Sequence, residues 1–246
     1  MNTYALVVQY DGTDYAGFQV QPRQRTIQGE LEKALSRLGP GSIRIAGAGR
    51  TDAGVHSEGQ TGSFRDDQIT VPVERLPYAL NSLLPPDIRV VKSWLAPPDF
   101  HARISAVQKT YRYQVYQSEF PNVFHRRYAC WLREPIDWQA VEECAKVFVG
   151  TLDFAAFAAS GSSVKTTVRT MLDVSVEHAP PLTLLRFTAD GFLYKMVRNL
   201  VGTLLDVGRG RLSMEEVLTV MQSGDRTLAS ATAPPQGLVL ESVRYS

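Results

Sequence analysis

The residues best placed to do chemistry lie in one glycine-rich stretch, residues 47–56. It carries a guanidinium, a hydroxyl and a carboxylate in succession, on Arg50, Thr51 and Asp52. Three glycines lie around them, and glycine adopts positive φ angles without a steric penalty, so the backbone is expected to turn sharply or to approach another group closely. The apolar run before the stretch predicts a strand that ends there. A carboxylate on such a loop can be presented to a ligand while a rigid sheet holds its position.

Two interpretations of Asp52 stay open from the residues alone. An aspartate in a glycine-rich loop commonly bonds its own backbone and forms a turn. The alternative is a carboxylate that acts on a ligand. A phosphate-binding or dinucleotide-binding loop is not indicated, because the stretch lacks lysine and its glycines are spaced differently.

Eight consecutive residues, 49–56, resemble the signature motif of the tRNA pseudouridine synthase A family. In that family the aspartate of the motif is the essential catalytic residue, so the resemblance implies this role for Asp52. It also implies an isomerase that converts uridine to pseudouridine in the anticodon stem-loop of tRNA, at positions 38, 39 and 40. This isomerisation oxidises nothing and releases no group, so no cofactor is expected.

A second block, residues 196–202, resembles another segment of the family, in which an arginine pairs with the catalytic aspartate. The corresponding residue is Arg198, within an apolar helical pattern. The helical period alone leaves open a position on the solvent side of that helix. The resemblance implies instead a partner for Asp52, and an arginine within about 4–6 Å would lower the pKa of the carboxyl and keep it ionised.

The pattern Lys-x-Tyr-x-Tyr at residues 109–113 resembles a third family segment, which assigns substrate contact to Tyr111 and leaves Tyr113 in the core. Splayed RNA bases commonly stack on aromatic rings, worth about 1–3 kcal/mol each. The alternative for Tyr111 is a strand tyrosine that packs against a helix. Residues 233–240 resemble the closing motif of the family, in which Leu238 would form an apolar wall of the pocket.

The resemblance extends over the whole chain and includes residues 11–19 and 100–106. Two positions depart from the family pattern. Phe18 stands where tryptophan is usual, and Ser57 stands where alanine is common. Both substitutions keep the size class of the side chain, so we expect activity to be retained.

Contacts to the RNA backbone are expected from arginine in particular. The formal net charge is only +1, but 20 of the 26 cationic residues are arginine, whose planar fork suits phosphates. Genomic composition bias or adaptation to high temperature would explain the same excess. Arg50 is expected to extrude the base or to bind phosphate. The other candidates for phosphate contacts are Arg23, Arg25, Arg103, Arg112, Arg126, Arg127 and Lys165.

The family's members are homodimers in which tRNA lies across both subunits, so the resemblance implies a homodimer here as well. Two copies would pool their arginines and so hold a polyanion despite the low net charge.

Composition excludes several other classes of protein. No apolar run approaches the roughly 20 residues that span a bilayer, and no basic start followed by an apolar block marks a secretory signal, so no membrane partner and a cytoplasmic location are expected. Cys130 and Cys144 are too far apart for a zinc knuckle, and the four histidines show no paired-ligand spacing. No metal is therefore predicted.

Periodicity predicts an α+β fold. The first half has strands over 4–10, 43–48, 60–64 and 88–95 and helices after a Thr26 cap and over 73–84, which is the β-α-β-β-α-β order of a ferredoxin-like unit. The second half repeats this order with an added helix. Its strands are predicted at 107–116, 167–177, 182–189 and 237–245, and its helices at 137–149, 193–207 and 213–222.

We therefore expect two ferredoxin-like halves, residues 1–98 with the catalytic loop and residues 99–246 with Tyr111 and Arg198. Joined, they would form one mostly antiparallel mixed sheet with helices on one face.

Two rival functions remain from sequence. A non-catalytic RNA-binding module would need only the ferredoxin-like units and the aromatic residues on their sheets. An Asp-dependent N-glycosidase acting on RNA would use the same carboxylate but release free uracil.

Overall fold

The computed structural model describes residues 1–39, 41–159, 161 and 164–246. They form two compact units, here the first unit (Met1–Val107 with Val239–Ser246) and the second unit (Gln108–Leu238). The change of unit at residue 107 lies beyond the predicted division at residue 98. The described residues contain ten β-strands and five α-helices, and most strand pairs are antiparallel, so the predicted α+β class is confirmed.

The first unit begins with the predicted β-α-β-β-α-β order. Strand β1 pairs antiparallel with both β3 and β4, and β2 pairs with β3. A short 3₁₀ turn precedes α2. The elements are β1 (Asn2–Tyr10), α1 (Ile27–Leu35), β2 (Ala46–Gly47), β3 (His56–Asp66), α2 (Leu76–Asn81) and β4 (Ile88–Ala96).

Helix α1 forms as its sequence predicts. The Thr26 hydroxyl accepts the N–H of Gly29 and caps the first turn, which otherwise has unbonded N–H groups. Its apolar stripe belongs to one buried core that also includes side chains of β1 and β4, such as Leu6 and Val90. The buried helical residues are Ile27, Leu31, Ala34 and Leu35.

Strand β2 is much shorter than the predicted strand over 43–48. Ile43 and Ile45 are buried, which produced the apolar alternation. However, the backbone of Ile45 bonds to side chains of α1: its N–H donates to Glu32 Oε1 (3.1 Å), and its carbonyl accepts from Gln28 Nε2 (3.0 Å). These bonds replace the strand pairing that the pattern predicted.

The second unit is built on the sheet order β5-β9-β8-β7, with every neighbouring pair antiparallel and β6 parallel to β5. The short strands β6 and β7 were not predicted, since three or four residues give too little alternation to recognise. The elements are β5 (Ala106–Gln117), β6 (Cys130–Leu132), α3 (Trp138–Ala145), β7 (Gly150–Asp153), β8 (Val168–Ala179), β9 (Leu182–Ala189), α4 (Met196–Gly208) and α5 (Met214–Ser223).

The final strand, β10 (Leu238–Tyr245), returns the chain to the first unit from Val239 onward. Val239 and Leu240 pair in parallel with His56 and Ser57 at the start of β3. The Ser57 hydroxyl donates to the Leu240 carbonyl (3.1 Å), so the side chain that replaces the family's alanine adds a buried bond here.

Among the described residues, no helix combines the length and the apolar character that crossing a bilayer requires.

Candidate active site

Asp52 lies in the connection between β2 and β3, and its side chain is half-buried. A turn follows at Ala53 and Gly54, closed by a bond from the Val55 N–H to the Asp52 carbonyl (3.1 Å). Gly54 has φ 77°, a left-handed conformation that favours glycine. The turn is therefore closed by main-chain atoms and a glycine.

Gln60 anchors the loop from the sheet beneath it. This fully buried residue of β3 donates from Nε2 to the Gly49 carbonyl (2.8 Å), and its Oε1 accepts the Gly49 N–H (3.3 Å). The side-chain amide thus satisfies both backbone groups of Gly49, as a neighbouring strand would. Such satisfaction matters in a largely water-excluded place, where an unpaired polar group costs about 1–3 kcal/mol.

Tyr10 holds the next turn of the loop. Its hydroxyl shares a 2.8 Å hydrogen bond with the hydroxyl of Thr51, the residue before Asp52. The Gln60 amide also reaches the Tyr10 hydroxyl, at 3.4 Å, so both anchors belong to one network. Burial raises the pKa of Tyr10 to about 12, despite the opposing hydrogen bond from Thr51. The phenol is therefore protonated at neutral pH.

The N-terminal motif, residues 11–19, packs against the loop that carries Asp52. The Phe18 N–H donates to the Thr51 carbonyl (3.0 Å). A Cβ at Gly17, which has φ 97°, would lie 2.7 Å from that carbonyl, and a Cβ at Gly12 would overlap the Val55 carbonyl. Glycine is needed at both places because two backbones touch there.

His56 ties the end of the loop to this N-terminal motif. Its buried ring accepts the Gly12 N–H at Nδ1 (3.0 Å), and the same nitrogen lies 3.2 Å from a carboxylate oxygen of Asp11. The last residue of the eight-residue motif is thus a packing and hydrogen-bonding residue in this structure.

Phe18 occupies the space beside Gly47, which has no side chain. The ring is buried, and a Cβ on Gly47 would overlap it. It also lies against Tyr10, with ring centroids 6.4 Å apart. Phe18 therefore fills the site as part of the support of the loop.

In the second unit, Tyr111 and Tyr113 occupy the buried side of β5. The prediction that Tyr113 belongs to the core is confirmed, since it is fully buried and its hydroxyl donates to the Pro234 carbonyl (2.9 Å). Burial holds the pKa of Tyr113 well above its ordinary value. Tyr111 is 7% exposed, and its ring meets the edge of Phe192 at a centroid distance of 5.0 Å.

Arg198 lies in the first turn of α4 and is half-buried, so it does not point freely to solvent. Its Nε donates to the Ala233 carbonyl (2.8 Å), and the Ala233 N–H donates back to the Arg198 carbonyl (3.0 Å). This reciprocal pair fixes the stem of the guanidinium against the segment that precedes Leu238. Leu238 itself is buried.

Asn199 in turn fixes the segment that precedes Leu238. This buried residue donates to the Phe157 carbonyl (2.7 Å), and its Oδ1 accepts from Thr232 Oγ1 (2.7 Å) and from Arg226 Nη2 (3.0 Å). Sequence reasoning missed this network and the pair Gln60 and Tyr10. The available signal was a polar residue at a position whose neighbours in the pattern are buried, which marks Asn199 in α4 and Gln60 in β3.

The predicted phosphate contacts differ in what they already bind. Arg25 is engaged, with an ion pair to Asp87 (3.1 Å) and its guanidinium 4.1 Å from the centre of the Tyr15 ring. Burial opposes the charge on Arg25, but Tyr15 and Asp87 outweigh it and raise its pKa. Arg50 and Arg103 are exposed and line one cleft of the first unit. Of the remaining candidates, three are exposed and two are half-buried: Arg23, Arg126 and Lys165, then Arg112 and Arg127.

No group of three or more metal-ligating side chains is gathered in the part of the chain that the structure describes.

Comparison with known proteins gives matches along nearly the full chain. A family model described as tRNA pseudouridine synthase matches residues 6–103 and 144–246. These segments include Asp52, Arg198 and Leu238, whereas Tyr111 lies between them.

Three proteins described as tRNA pseudouridine synthase A are similar in sequence. That of Halalkalibacterium halodurans is 45% identical over 240 residues, which cover 97% of this chain and 91% of that protein. The one from Latilactobacillus sakei is 46% identical over 245 residues, 98% of each chain. The Bacillus subtilis protein is 45% identical over 240 residues, 97% of each chain.

Proposed function

The chain belongs to the tRNA pseudouridine synthase family, and on that premise we propose that it isomerises uridine to pseudouridine in the anticodon stem-loop of tRNA, at positions 38, 39 and 40. The enzyme class is an isomerase. The one observation that carries the proposal is the built loop around Asp52, in which backbone contacts, a buried amide and a buried phenol hold the residues on either side of the acid.

The reaction has modest chemical requirements. The bond from ribose C1′ to N1 of uracil breaks, the base turns, and a bond from C1′ to C5 forms. N1 gains a proton and C5 loses one, so the atoms and electrons balance within the nucleotide. What the protein must supply is a carboxylate that adds to the displaced sugar or base or stabilises it, and a place for an extruded base.

Asp52 is the proposed catalytic carboxylate. A fixed loop favours this role, because a catalytic group works best when neighbouring bonds hold it in the productive position before the substrate arrives. The turn after Asp52 closes through its carbonyl, so the carboxylate is not needed to form that turn.

The remaining roles are proposals by resemblance. Arg198 would keep the carboxylate ionised, and the fixed stem of its guanidinium suits a positioning task. Tyr111 would stack the extruded uracil, and Leu238 would form an apolar wall. Arg50, which is exposed, would extrude the base or bind a backbone phosphate.

A homodimer and a cytoplasmic location belong to the same proposal. With a formal net charge of +1, one chain has little overall attraction for a polyanion. Two copies that share their arginines would offer a larger positive surface to one tRNA.

The test uses purified protein and unmodified transcribed tRNA, with no added cofactor. Pseudouridine is mapped by carbodiimide-dependent stops of reverse transcription. We expect new stops at uridines of the anticodon arm with the wild-type protein and none with Asp52→Asn. No new stop with a tRNA that another pseudouridine synthase can modify would reject the proposal.

The same samples separate the two rival functions. Free uracil together with abasic sites in the RNA would identify an N-glycosidase. Tight tRNA binding without any change in the RNA, and equal for wild type and Asp52→Asn, would identify a binding module.

A further inference from the structure

A cleft of about 290 Å³ opens in the first unit beside the loop that carries Asp52. Gly49 and Arg50 of that loop form part of its wall. The proposed function assigns nothing to this cleft as a whole. Its other lining residues are Phe18, Gln19, Gln28, Ile45, Ala46, Gly47, His101, Arg103 and Ile104.

The charge of the lining is wholly positive. Arg50 and Arg103 are both exposed, and neither has an ion pair with any residue that the structure describes. No aspartate or glutamate is among the described residues that line the cleft. Two guanidinium groups in a lining that includes no carboxylate favour an anion, and the planar fork of arginine suits phosphate oxygens.

A neighbouring cleft of about 720 Å³ provides a comparison within the same unit. It also has two arginines in its lining, Arg44 and Arg65, but Asp66 and Asp67 line it as well. These two carboxylates balance its two arginine side chains, so its lining favours an anion less than that of the smaller cleft. Of these two clefts, the one beside the Asp52 loop therefore has the more positive lining.

His101 adds a donor whose tautomer the backbone determines. Its Nδ1 accepts the N–H groups of Arg103 (3.1 Å) and Ile104 (3.4 Å). A nitrogen that accepts hydrogen bonds carries no proton, so the neutral ring has its proton on Nε2. His101, one of the lining residues, thus has its N–H donor on Nε2.

The cleft also has an apolar part. Ile104 lies in its lining and is 76% exposed, although its side chain is fully apolar. A ligand with a flat or apolar portion next to an anionic group fits this combination, since the apolar portion would cover Ile104. A nucleotide of RNA has this composition, with a base, a ribose and a phosphodiester.

We propose that this cleft binds a nucleotide adjacent to the target uridine, with its phosphodiester held by Arg50 and Arg103 and by the Nε2 N–H of His101. This inference rests on the proposed function for the identity of the RNA. It adds a place on the first unit where the substrate strand is held one step from the reacting base.

The test pairs a protein variant with single neutral phosphates in the RNA. Each phosphate around the target uridine of an anticodon stem-loop is replaced in turn by a methylphosphonate, which removes one negative charge. Binding is measured with Asp52→Asn protein, so that no turnover occurs. This protein carries either wild-type Arg103 or Arg103→Gln. Arg44→Gln is the matched control, because it removes an exposed arginine from the neighbouring cleft.

We expect one methylphosphonate next to the target to weaken binding roughly tenfold, as the loss of a charge-assisted bond would. Arg103→Gln should weaken binding by a similar factor, and that methylphosphonate should then have no further effect. The slope of log K against log salt concentration should fall by about one for Arg103→Gln. Arg44→Gln should leave both the affinity and the methylphosphonate effect unchanged.

Independent effects of Arg103→Gln and of every methylphosphonate would overturn the proposal, as would an equal loss for Arg44→Gln. Melting temperatures of all variants check that folding is intact. The proposed function can fail separately: wild-type protein that makes no pseudouridine but shows the phosphate-specific coupling would keep this cleft as an RNA site and remove the isomerase.

Discussion

The loop around Asp52 and the surroundings of Arg198 differ in which atoms hold them in place. In the first unit, the acid sits in ten consecutive residues whose shape comes from glycines, main-chain bonds and two polar anchors beneath them. In the second unit, Arg198 is held by Ala233, and that segment is fixed by Asn199 together with Arg226. Both regions take support from segments distant in sequence, but the turn after Asp52 is closed by main-chain atoms, whereas the Arg198 side chain itself makes one of the supporting bonds.

The difference has a consequence for mutation. Replacing the acid should remove chemistry and leave the loop in place, because the turn is closed by the Asp52 carbonyl. Replacing Arg198 should disturb both function and structure, because its side chain is itself part of the support.

Asp52→Asn should have the largest effect. It tests the expectation that replacing the acid removes the chemistry and leaves the loop in place. We expect kcat to fall at least ~10³-fold, as for loss of an essential catalytic group, with the affinity for tRNA nearly unchanged. The melting temperature should stay within about 2 °C of wild type, since asparagine keeps the size of the side chain and the turn is closed by main-chain atoms. A large drop in melting temperature would show that the carboxylate supports the loop.

Arg198→Lys tests the expectation that the Arg198 side chain supports both function and structure. Lysine keeps the positive charge but has no guanidinium Nε to donate to the Ala233 carbonyl. We expect kcat to fall by roughly 10- to 100-fold together with a loss of about 1–2 kcal/mol in the free energy of unfolding. Chemical denaturation and single-turnover kinetics measure the two effects. Full stability with reduced kcat would mean that the bond to Ala233 contributes little and that the two regions are less different than the geometry indicates.

Gln60→Leu sharpens the description of the loop itself. The change removes both partners of the Gly49 backbone, so we expect a loss of about 2–4 kcal/mol in the free energy of unfolding. Turnover should fall while the affinity for tRNA changes less, because the loop shifts but the cationic surface remains. Gln60→Glu keeps the shape of the side chain but should cost at least as much as Gln60→Leu, since a fully buried carboxylate still accepts the Gly49 N–H but faces the Gly49 carbonyl without a proton to donate.

Tyr10→Phe should have the smallest effect at neutral pH, about 1 kcal/mol, because it removes the bond to the Thr51 hydroxyl. The pH dependence gives a specific test. The pKa of Tyr10 is raised from 10.0 to about 12 in the folded protein by burial. Between these values the folded chain keeps a proton that the unfolded chain has lost, so this contribution to stability is complete below pH 10 and falls as the pH rises toward 12.

The stability advantage of wild type over Tyr10→Phe, about 1 kcal/mol at neutral pH, should therefore shrink above pH 10 and reverse at about pH 11. Urea unfolding at a series of pH values measures the difference directly and cancels the other buried tyrosines. A constant difference over this range would show that the Tyr10 phenol is not held in a water-excluded site.

The sequence by itself was sufficient for much of the molecule. The period of the apolar residues and the residues typical of helix and strand ends predicted the longer helices and strands. The N-terminal caps at Thr26 and Asp137 are formed as their residue types predict. The motif around Asp52 was recognisable because all its members are contiguous. The short strands β6 and β7 and the true length of β2 were not predictable, since side-chain bonds and pairings of two to four residues decide them.

Only the tertiary structure decided what holds the loop. Tyr10 and Gln60 come from neighbouring strands, and which side chains meet depends on the register between those strands. A register irregularity between Val8 and Tyr10 shifts the pairing just before the phenol that bonds Thr51. Such a shift re-aims every side chain beyond it, yet leaves no mark in the local pattern of residues. The sequence thus determined which residues could do chemistry, and the register of the sheet determined how they are supported.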